Sequence, residues 1–211
     1  MSSTEYKTIK QRGTAEYEDR KSRFIANVYP VETEEKALEF LNAVKKKYSD
    51  ARHNVYAYVV RENNIQRYSD DGEPSGTAGM PVLDAIRKRG LTDMIVVVTR
   101  YFGGTLLGTG GLVHAYGKSA SEGIENAGPV TRRLCSIYLV TTDYTLSGKI
   151  EYSLQGSEYI IEDISYTDAV EFTVCVKSGE GERFVKEITE ISLGSAKTEC
   201  VGEKFVDIKK D

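Results

Sequence analysis

Residues 68–81 read Tyr68-Ser-Asp-Asp-Gly-Glu-Pro-Ser-Gly-Thr-Ala-Gly-Met-Pro81, and residues 99–112 read Thr99-Arg-Tyr-Phe-Gly-Gly-Thr-Leu-Leu-Gly-Thr-Gly-Gly-Leu112. Between them lies the apolar run Met94-Ile-Val-Val-Val98, which is typical of a buried strand. Glycine loses more conformational freedom on folding than other residues, so a dense run of it usually serves positive φ angles or close backbone approach. We therefore expect the two stretches to meet at one surface, which is the first place to look for function.

Hydrophobic periodicity predicts an α+β chain with a domain boundary after residue 130. In the first part we expect strands at 22–30, 53–60, 65–68 and 93–99, and helices at 33–50, 81–89 and 112–126. Gly128-Pro129 ends the last helix, so the predicted domains are 1–130 and 131–211. In the second part we expect strands at 134–142, 158–166, 169–177 and 199–208, and helices at 144–155 and 182–193. This β-α-β-β-α-β order is that of a ferredoxin-like domain.

The charges are distributed unevenly over these two parts. The whole chain has 28 Lys and Arg against 32 Asp and Glu, a formal net charge of −4. Residues 1–130 carry 18 basic and 17 acidic side chains, whereas residues 131–211 carry 10 and 15. Phosphate contacts dominate nucleic-acid affinity, so the acidic second part argues against extended wrapping of a nucleic acid. A local basic surface in the first part stays open.

Nothing in the sequence indicates a membrane or an oxidising compartment. No segment approaches the roughly 20 apolar residues that cross a bilayer. The first residues, Met-Ser-Ser-Thr-Glu-Tyr-Lys, lack the apolar core of a signal peptide. Cys135, Cys175 and Cys200 are odd in number and widely spaced, which favours reduced thiols. We expect a cytoplasmic protein.

Four sequence blocks resemble those of the YigZ/IMPACT family. They are SDDGEPSGTAGMPVLDAI from Ser69, VVVTRYFGGTLLGTGGLVHAYGKSA from Val96, KSRFIA from Lys21 and ARHNVYAY from Ala51. The blocks cover about residues 20 to 120, and the chain length agrees with that of the two-domain bacterial members.

The resemblance implies an α+β fold of two domains, each a β-sheet packed with two helices. The first domain would be similar to domain IV of elongation factor G and to a domain of a small-subunit ribosomal protein. The second would be ferredoxin-like and similar to domain V of the same factor. The eukaryotic members of the family that this chain resembles are regulators of translation that act through protein partners.

The segment Gly103–Gly111 leads from a strand into the amino end of a predicted helix. Free N–H groups and the helix dipole favour an anion there, and Arg100 could add a bidentate contact. A Walker A loop is excluded because Lys-Ser/Thr does not follow Gly108, and a dinucleotide fingerprint because Val113 is not Gly or Ala. The alternative is a glycine-rich turn that packs on the acidic loop without a ligand.

The acidic loop crowds three carboxylates and two hydroxyls together: Asp70, Asp71, Glu73, Ser75 and Thr77. Magnesium or calcium prefers such oxygens, so a metal site is one interpretation. The interpretation we favour is that these side chains bond turn backbone and that one carboxylate pairs with Arg100 across the two loops. His53 and His114 are expected at the same loop surface, without a recognisable nucleophile motif.

The leading hypothesis is a non-enzymatic cytoplasmic regulator of translation or of a stress response. It would bind RNA, the ribosome or a translation-associated protein, without metal or cofactor. Its anion- or partner-binding face would comprise Arg52, His53, Arg67, Asp70, Asp71, Glu73, Ser75, Thr77, Arg100, Gly103, Gly104, Gly108, Gly110, Gly111 and His114. A second hypothesis is a metal-dependent hydrolase or transferase acting on a phosphorylated or carboxylated small substrate. A third is a protein-binding module built on the acidic second domain.

Overall fold

The structure is a computed structural model that describes residues 4–208, with two β-sheets and five α-helices in this range. The α+β prediction is confirmed. In chain order the elements are β1 (Glu5–Ile9), β2 (Gly13–Asp19), β3 (Ser22–Pro30), α1 (Glu34–Lys47), β4 (His53–Val60), β5 (Ile65–Ser69), α2 (Gly79–Arg87), β6 (Met94–Tyr101), α3 (Gly108–Asn126), β7 (Pro129–Thr142), α4 (Tyr144–Gln155), β8 (Ile160–Tyr166), β9 (Val170–Lys177), α5 (Gly181–Ser192) and β10 (Lys197–Ile208). They form two compact units, Tyr6–Thr131 and residues 132–208 with residues 4 and 5.

The first unit is built around β6. Its sheet has the order β2-β3-β6-β4-β5, and all neighbours are antiparallel. Met94, Val96 and Val98 are buried in the core that includes residues of α2 and α3. Ile95 and Val97 are buried on the opposite face, in the core that includes residues of α1. Burial on both faces explains the unbroken apolar run, and three helices cover this sheet where the resemblance implied two.

Local sequence signals explain where the helices of this unit begin. The side chain of Thr33 accepts a hydrogen bond from the N–H of Lys36 and so caps α1. The helix α3 begins at Gly108 rather than at Leu112, so the end of the glycine-rich segment forms its first turn. A small residue also lets α3 pack closely on the sheet. At Gly123 a Cβ would lie 2.9 Å from the Cβ of Ala26.

Two strands at the start of the chain, β1 and β2, were not predicted. The edge strand β2 alternates intermediate and exposed residues after Gly13, so it lacks the apolar run that marks β6. The turn into β3 uses Arg20 and Lys21 at positive φ angles of 45° and 65°. Neither residue type signals such a turn, since Gly, Asn and Asp are those that favour these angles.

The second unit has the predicted β-α-β-β-α-β order. Its last four strands are ordered β7-β9-β8, with β10 also paired to β7, which is the ferredoxin-like arrangement. Phe172, Val174, Phe184 and Ile188 lie in its core. Within residues 4–208, no helix is long and apolar enough to cross a membrane.

Replacing Gly123 tests the close approach of α3 to the sheet. We expect Gly123→Leu to lower the free energy of unfolding by about 1–3 kcal/mol or more, because added side-chain atoms overpack a well-filled core. Gly148→Leu in α4 is the matched control, since a Cβ there has no neighbour within 4 Å. Urea denaturation measures both. Equal effects of the two substitutions would contradict the packing described for Gly123.

Candidate functional site

The tip of the first sheet is where β6 ends and β4 begins. Phe24 and His53 are the register partners of Arg100 on the two neighbouring strands. Residues 102–107 then lead from β6 into α3. A hollow of about 670 Å³ opens at this end, and we call it the tip hollow. It is lined by Asp50, Ala51, Arg52, His53, Arg100, Tyr101, Phe102 and Leu106.

A buried ion pair joins the two stretches quoted at the outset. The Nη1 atom of Arg100 lies 2.7 Å from Oε1 of Glu73, and these side chains are 7% and 4% exposed. The hydroxyl of Tyr116 donates to the same Oε1 at 2.7 Å. Burial and the charge of Glu73 raise the pKa of the Tyr116 hydroxyl well above its usual range, so it stays a donor. The predicted meeting of the two stretches and the pairing of a carboxylate with Arg100 are both confirmed.

This ion pair corrects the role we assigned to Arg100. The guanidinium was expected to be available to an anion, but its charge is balanced by Glu73. Its Cζ atom also lies 5.5 Å from the ring centroid of Phe24 and 5.7 Å from that of Phe102. Arg100 therefore holds the loops together and supports Phe102 from behind, and its Nε is buried without a hydrogen-bond partner among the described residues.

Asp70 organises the start of α2. Its carboxylate accepts hydrogen bonds from the N–H groups of Gly76, Ala78 and Gly79 at 2.9, 3.0 and 2.8 Å. Burial opposes the charged form, but the three backbone donors outweigh it and hold the pKa of Asp70 below its usual value. Asp70 thus satisfies amides that an anionic ligand would otherwise have used.

Asp71 fixes the orientation of His53. Its backbone has a φ angle of 46°, and its carboxylate accepts from the N–H of Asn54 at 2.7 Å and pairs with Lys45 at 3.1 Å. The carbonyl of Asp71 lies 2.9 Å from Nδ1 of His53. Because a carbonyl only accepts, Nδ1 carries the proton, and a neutral His53 keeps its lone pair on Nε2.

The acidic loop does not gather its oxygens around one point. Asp70, Asp71 and Glu73 each bind a different element, as described above. Thr77 donates from Oγ1 to the carbonyl of Pro74 at 2.7 Å, and Ser75 is exposed. Within residues 4–208 no group of three His, Cys, Asp or Glu side chains is placed to hold a metal ion. The predicted bonding of these side chains to turn backbone is confirmed for Asp70 and Thr77.

The glycines of the second stretch have two different tasks. A Cβ on Gly103 would lie 2.0 Å from the carbonyl carbon of Lys21, so this position requires glycine for close backbone contact. Its N–H also donates to Oγ of Ser22 at 3.2 Å. Gly104 and Gly108 have φ angles of 86° and 72°, which favour glycine.

The first turn of α3 remains open at the tip. Gly108 and Gly110 are exposed and Gly111 is half-buried. Leu107 occupies the N-cap position, and no side chain caps the helix there. The N–H groups of this turn are therefore the part of the glycine-rich stretch that stays available to a partner.

Two predicted members of the face lie elsewhere. Arg67 is on β5 opposite Tyr58, and its Nε is 4.0 Å from Oε1 of Glu34 in α1. His114 is exposed on α3, with its ring centroid 6.3 Å from that of Tyr17, and it lines a groove between α2 and α3. Arg67 lies on a strand of the sheet and His114 on a helix, and neither residue lines the tip hollow.

Two apolar side chains at the tip were missed by the sequence reasoning. Phe102 and Leu106 are 56% and 81% exposed, although both sit in the loop between β6 and α3. Beside them, the hydroxyl of Tyr101 donates to Asp50 at 2.7 Å, and the guanidinium of Arg23 lies 5.6 Å from its ring centroid. The available signal was the presence of large apolar residues inside a polar, glycine-rich loop.

The fold and this site define a class of two-domain α+β proteins in which a buried Arg–Glu pair locks two glycine-rich loops. Family comparisons match residues 20–124 to the Impact N-terminal domain and residues 140–195 to a domain of unknown function, DUF1949. The chain belongs to the IMPACT family.

Individual relatives agree with this assignment over most of the chain. IMPACT family member YvyE of Bacillus subtilis is 47% identical, over 90% of this chain and 88% of its own. IMPACT family member YigZ of Escherichia coli is 32% identical, over 88% and 93%. A solved structure titled "Crystal structure of an hypothetical protein" is 30% identical with a TM-score of 0.60 and covers 94% of this chain and 98% of its own.

Breaking the buried ion pair should be costly. We expect Glu73→Ala to lower the free energy of unfolding by about 3–5 kcal/mol, because it leaves the Arg100 charge buried and unpaired. Combining Glu73→Leu with Arg100→Met should recover much of that loss, since both buried charges are then removed. Urea denaturation of the three proteins decides the point. Exposed ion pairs contribute up to about 1 kcal/mol to the free energy of unfolding. A loss below that value in Glu73→Ala would show that the pair does not hold the two loops together as described.

Asp70 should make stability fall in acid. Its folded-state pKa is lowered, so its contribution is complete above the unfolded value of about 3.9 and is lost as pH falls through the folded-state pKa. Asp70→Asn should cost about 0.5–2 kcal/mol at pH 7, and its difference from the unmodified protein should shrink below about pH 4. Asp168→Asn, in an exposed turn, is the control. A difference independent of pH would speak against a charged cap.

Proposed function

We propose that this protein is a non-enzymatic cytoplasmic regulator that contacts RNA of the translation machinery, in the first place the ribosome, through the tip of its first unit. The observation that carries the proposal is the composition of the tip hollow. It combines the exposed cation Arg52 with the exposed apolar side chains of Phe102 and Leu106. The resemblance of this domain to a ribosomal protein domain and to a translation-factor domain supports the same kind of partner.

The polar groups at the tip divide into those that hold the fold and those that face a partner. Glu73, Arg100, Asp70 and Asp71 are taken up by the contacts described above. Because these side chains are already engaged, a binding role is favoured over hydrolysis. Hydrolysis would require the acidic loop to activate water or hold an ion. Arg52 remains, with no ion pair among residues 4–208, and so do the open amides at the start of α3.

A local contact suits this charge distribution better than wrapping. The chain as a whole is acidic, with a sequence pI of about 5.4, so long-range attraction to phosphates is weak. Aromatic and apolar surface then has to supply part of the affinity. Stacking of bases on exposed rings is a sequence-tolerant way to do so. The tip presents such a ring in Phe102, which lines the same hollow as Arg52.

Co-sedimentation with purified 70S ribosomes at moderate salt tests the proposal. We expect the protein to be recovered with ribosomes, and the double substitution Arg52→Ala with Phe102→Ala to reduce that recovery at least fivefold. Arg67→Ala is the matched control, because this exposed arginine lies away from the hollow.

Two results would overturn the proposal. One is equal recovery of the unmodified protein and the double variant. The other is crosslinking in cells that captures a protein at the tip but no RNA, which would assign the surface to a protein partner. The acidic second unit, residues 132–208, would then be the next surface to test.

A further inference from the structure

The ring of Phe102 is exposed to solvent and has the Arg100 guanidinium beside it. Its outer face is open, since 56% of the residue is exposed. Behind it, the Cζ atom of Arg100 lies 5.7 Å from the ring centroid, and that guanidinium is fixed by Glu73 at 2.7 Å. The preceding Tyr101 is held by Asp50. A flat surface anchored in this way can receive another flat ring with little loss of entropy.

His53 offers a directed hydrogen-bond acceptor to the same hollow. Its Nδ1–H is donated to the carbonyl of Asp71, so the lone pair of the neutral ring lies on Nε2. No described residue hydrogen-bonds Nε2, and His53 lines the hollow. The orientation is firmly set, because Asp71 is itself bound by Asn54 and Lys45. A ligand that fills this position must therefore supply a donor.

The volume and the charge of the hollow suit one or two monomer units of a polymeric ligand. Its volume of about 670 Å³ is within the roughly 300–1,000 Å³ that is usual for small-ligand sites. Arg52 is exposed at its wall and pairs with no carboxylate among residues 4–208. Three requirements thus converge on the occupant: a flat apolar ring, a hydrogen-bond donor and a negative group.

We propose that the tip hollow binds a single unpaired ribonucleotide within a single-stranded RNA segment, an inference that rests on the proposed function. The base stacks on Phe102, the phosphate lies at Arg52, and the ribose 2′-hydroxyl donates to Nε2 of His53. An unpaired ribonucleotide carries all three groups at once. A base inside a duplex cannot reach the ring of Phe102, because its faces are covered by its neighbours. Deoxyribose lacks the hydroxyl that His53 would accept from.

Fluorescence anisotropy with three labelled probes tests this assignment. The probes are a single-stranded octamer of uridylate, the DNA octamer of thymidylate, and a blunt RNA duplex of two fully complementary strands. We expect the RNA octamer to bind more tightly than both other probes. Phe102→Ala should weaken octamer binding about tenfold, the order found for loss of one stacked base.

The variants separate the three contacts. His53→Ala should reduce the preference for RNA over DNA, and Arg52→Ala should weaken both octamers alike and lower the salt dependence. Tyr152→Ala, an 82% exposed tyrosine in the second unit, and Arg67→Ala are the matched controls and should bind like the unmodified protein. Thermal unfolding confirms that each variant is folded, which is expected because Arg52 and Phe102 are exposed.

The outcomes also distinguish this inference from the proposed function. Octamer binding that Phe102→Ala leaves unchanged, or a preference for the duplex, overturns the assignment of an unpaired nucleotide. Recovery with ribosomes that depends on Arg52 and Phe102, combined with no octamer binding, overturns the inference alone. If the unmodified protein neither binds the octamer nor is recovered with ribosomes, the proposed function is overturned as well.

Discussion

The structure of the tip depends on one buried interaction, the pairing of Arg100 with Glu73. A guanidinium and a carboxylate that are both almost fully inaccessible are tolerated because each finds its partner at 2.7 Å and because Tyr116 satisfies the same carboxylate oxygen. The three side chains come from β6, the acidic loop and α3. Their meeting therefore fixes the two glycine-rich stretches relative to the central strand of the sheet.

This lock explains why the loop residues are of such particular types. Asp70 can cap α2 because its loop is held in place, and Asp71 can adopt a positive φ angle and present its carbonyl to His53. Gly103 allows the backbone after β6 to pack directly on that of Lys21. The charged and glycine-rich motif is thus largely a framework. What it leaves facing outward is a small set of groups around a hollow.

The groups around the hollow differ in character from the loop residues that hold the fold. Arg52, Phe102 and Leu106 have little structural work within residues 4–208, and two of them are large apolar side chains in contact with solvent. His53 belongs to both groups, since its Nδ1 serves the framework and the residue lines the hollow. A rigid support beneath exposed groups is the arrangement expected where binding geometry matters.

The amino-acid order alone indicated the α+β fold and the burial of β6, because hydrophobic periodicity reports directly on burial. It also indicated that a carboxylate would pair with Arg100. It did not reveal β2, because this edge strand has few apolar residues to mark it. It also did not reveal that Arg67 and His114 lie away from the hollow. Only the tertiary arrangement showed that Glu73 neutralises Arg100 and that Phe102 is exposed. Which carboxylate reaches Arg100, and whether Phe102 is covered, depend on contacts between residues far apart in the chain, and local sequence patterns do not specify these contacts.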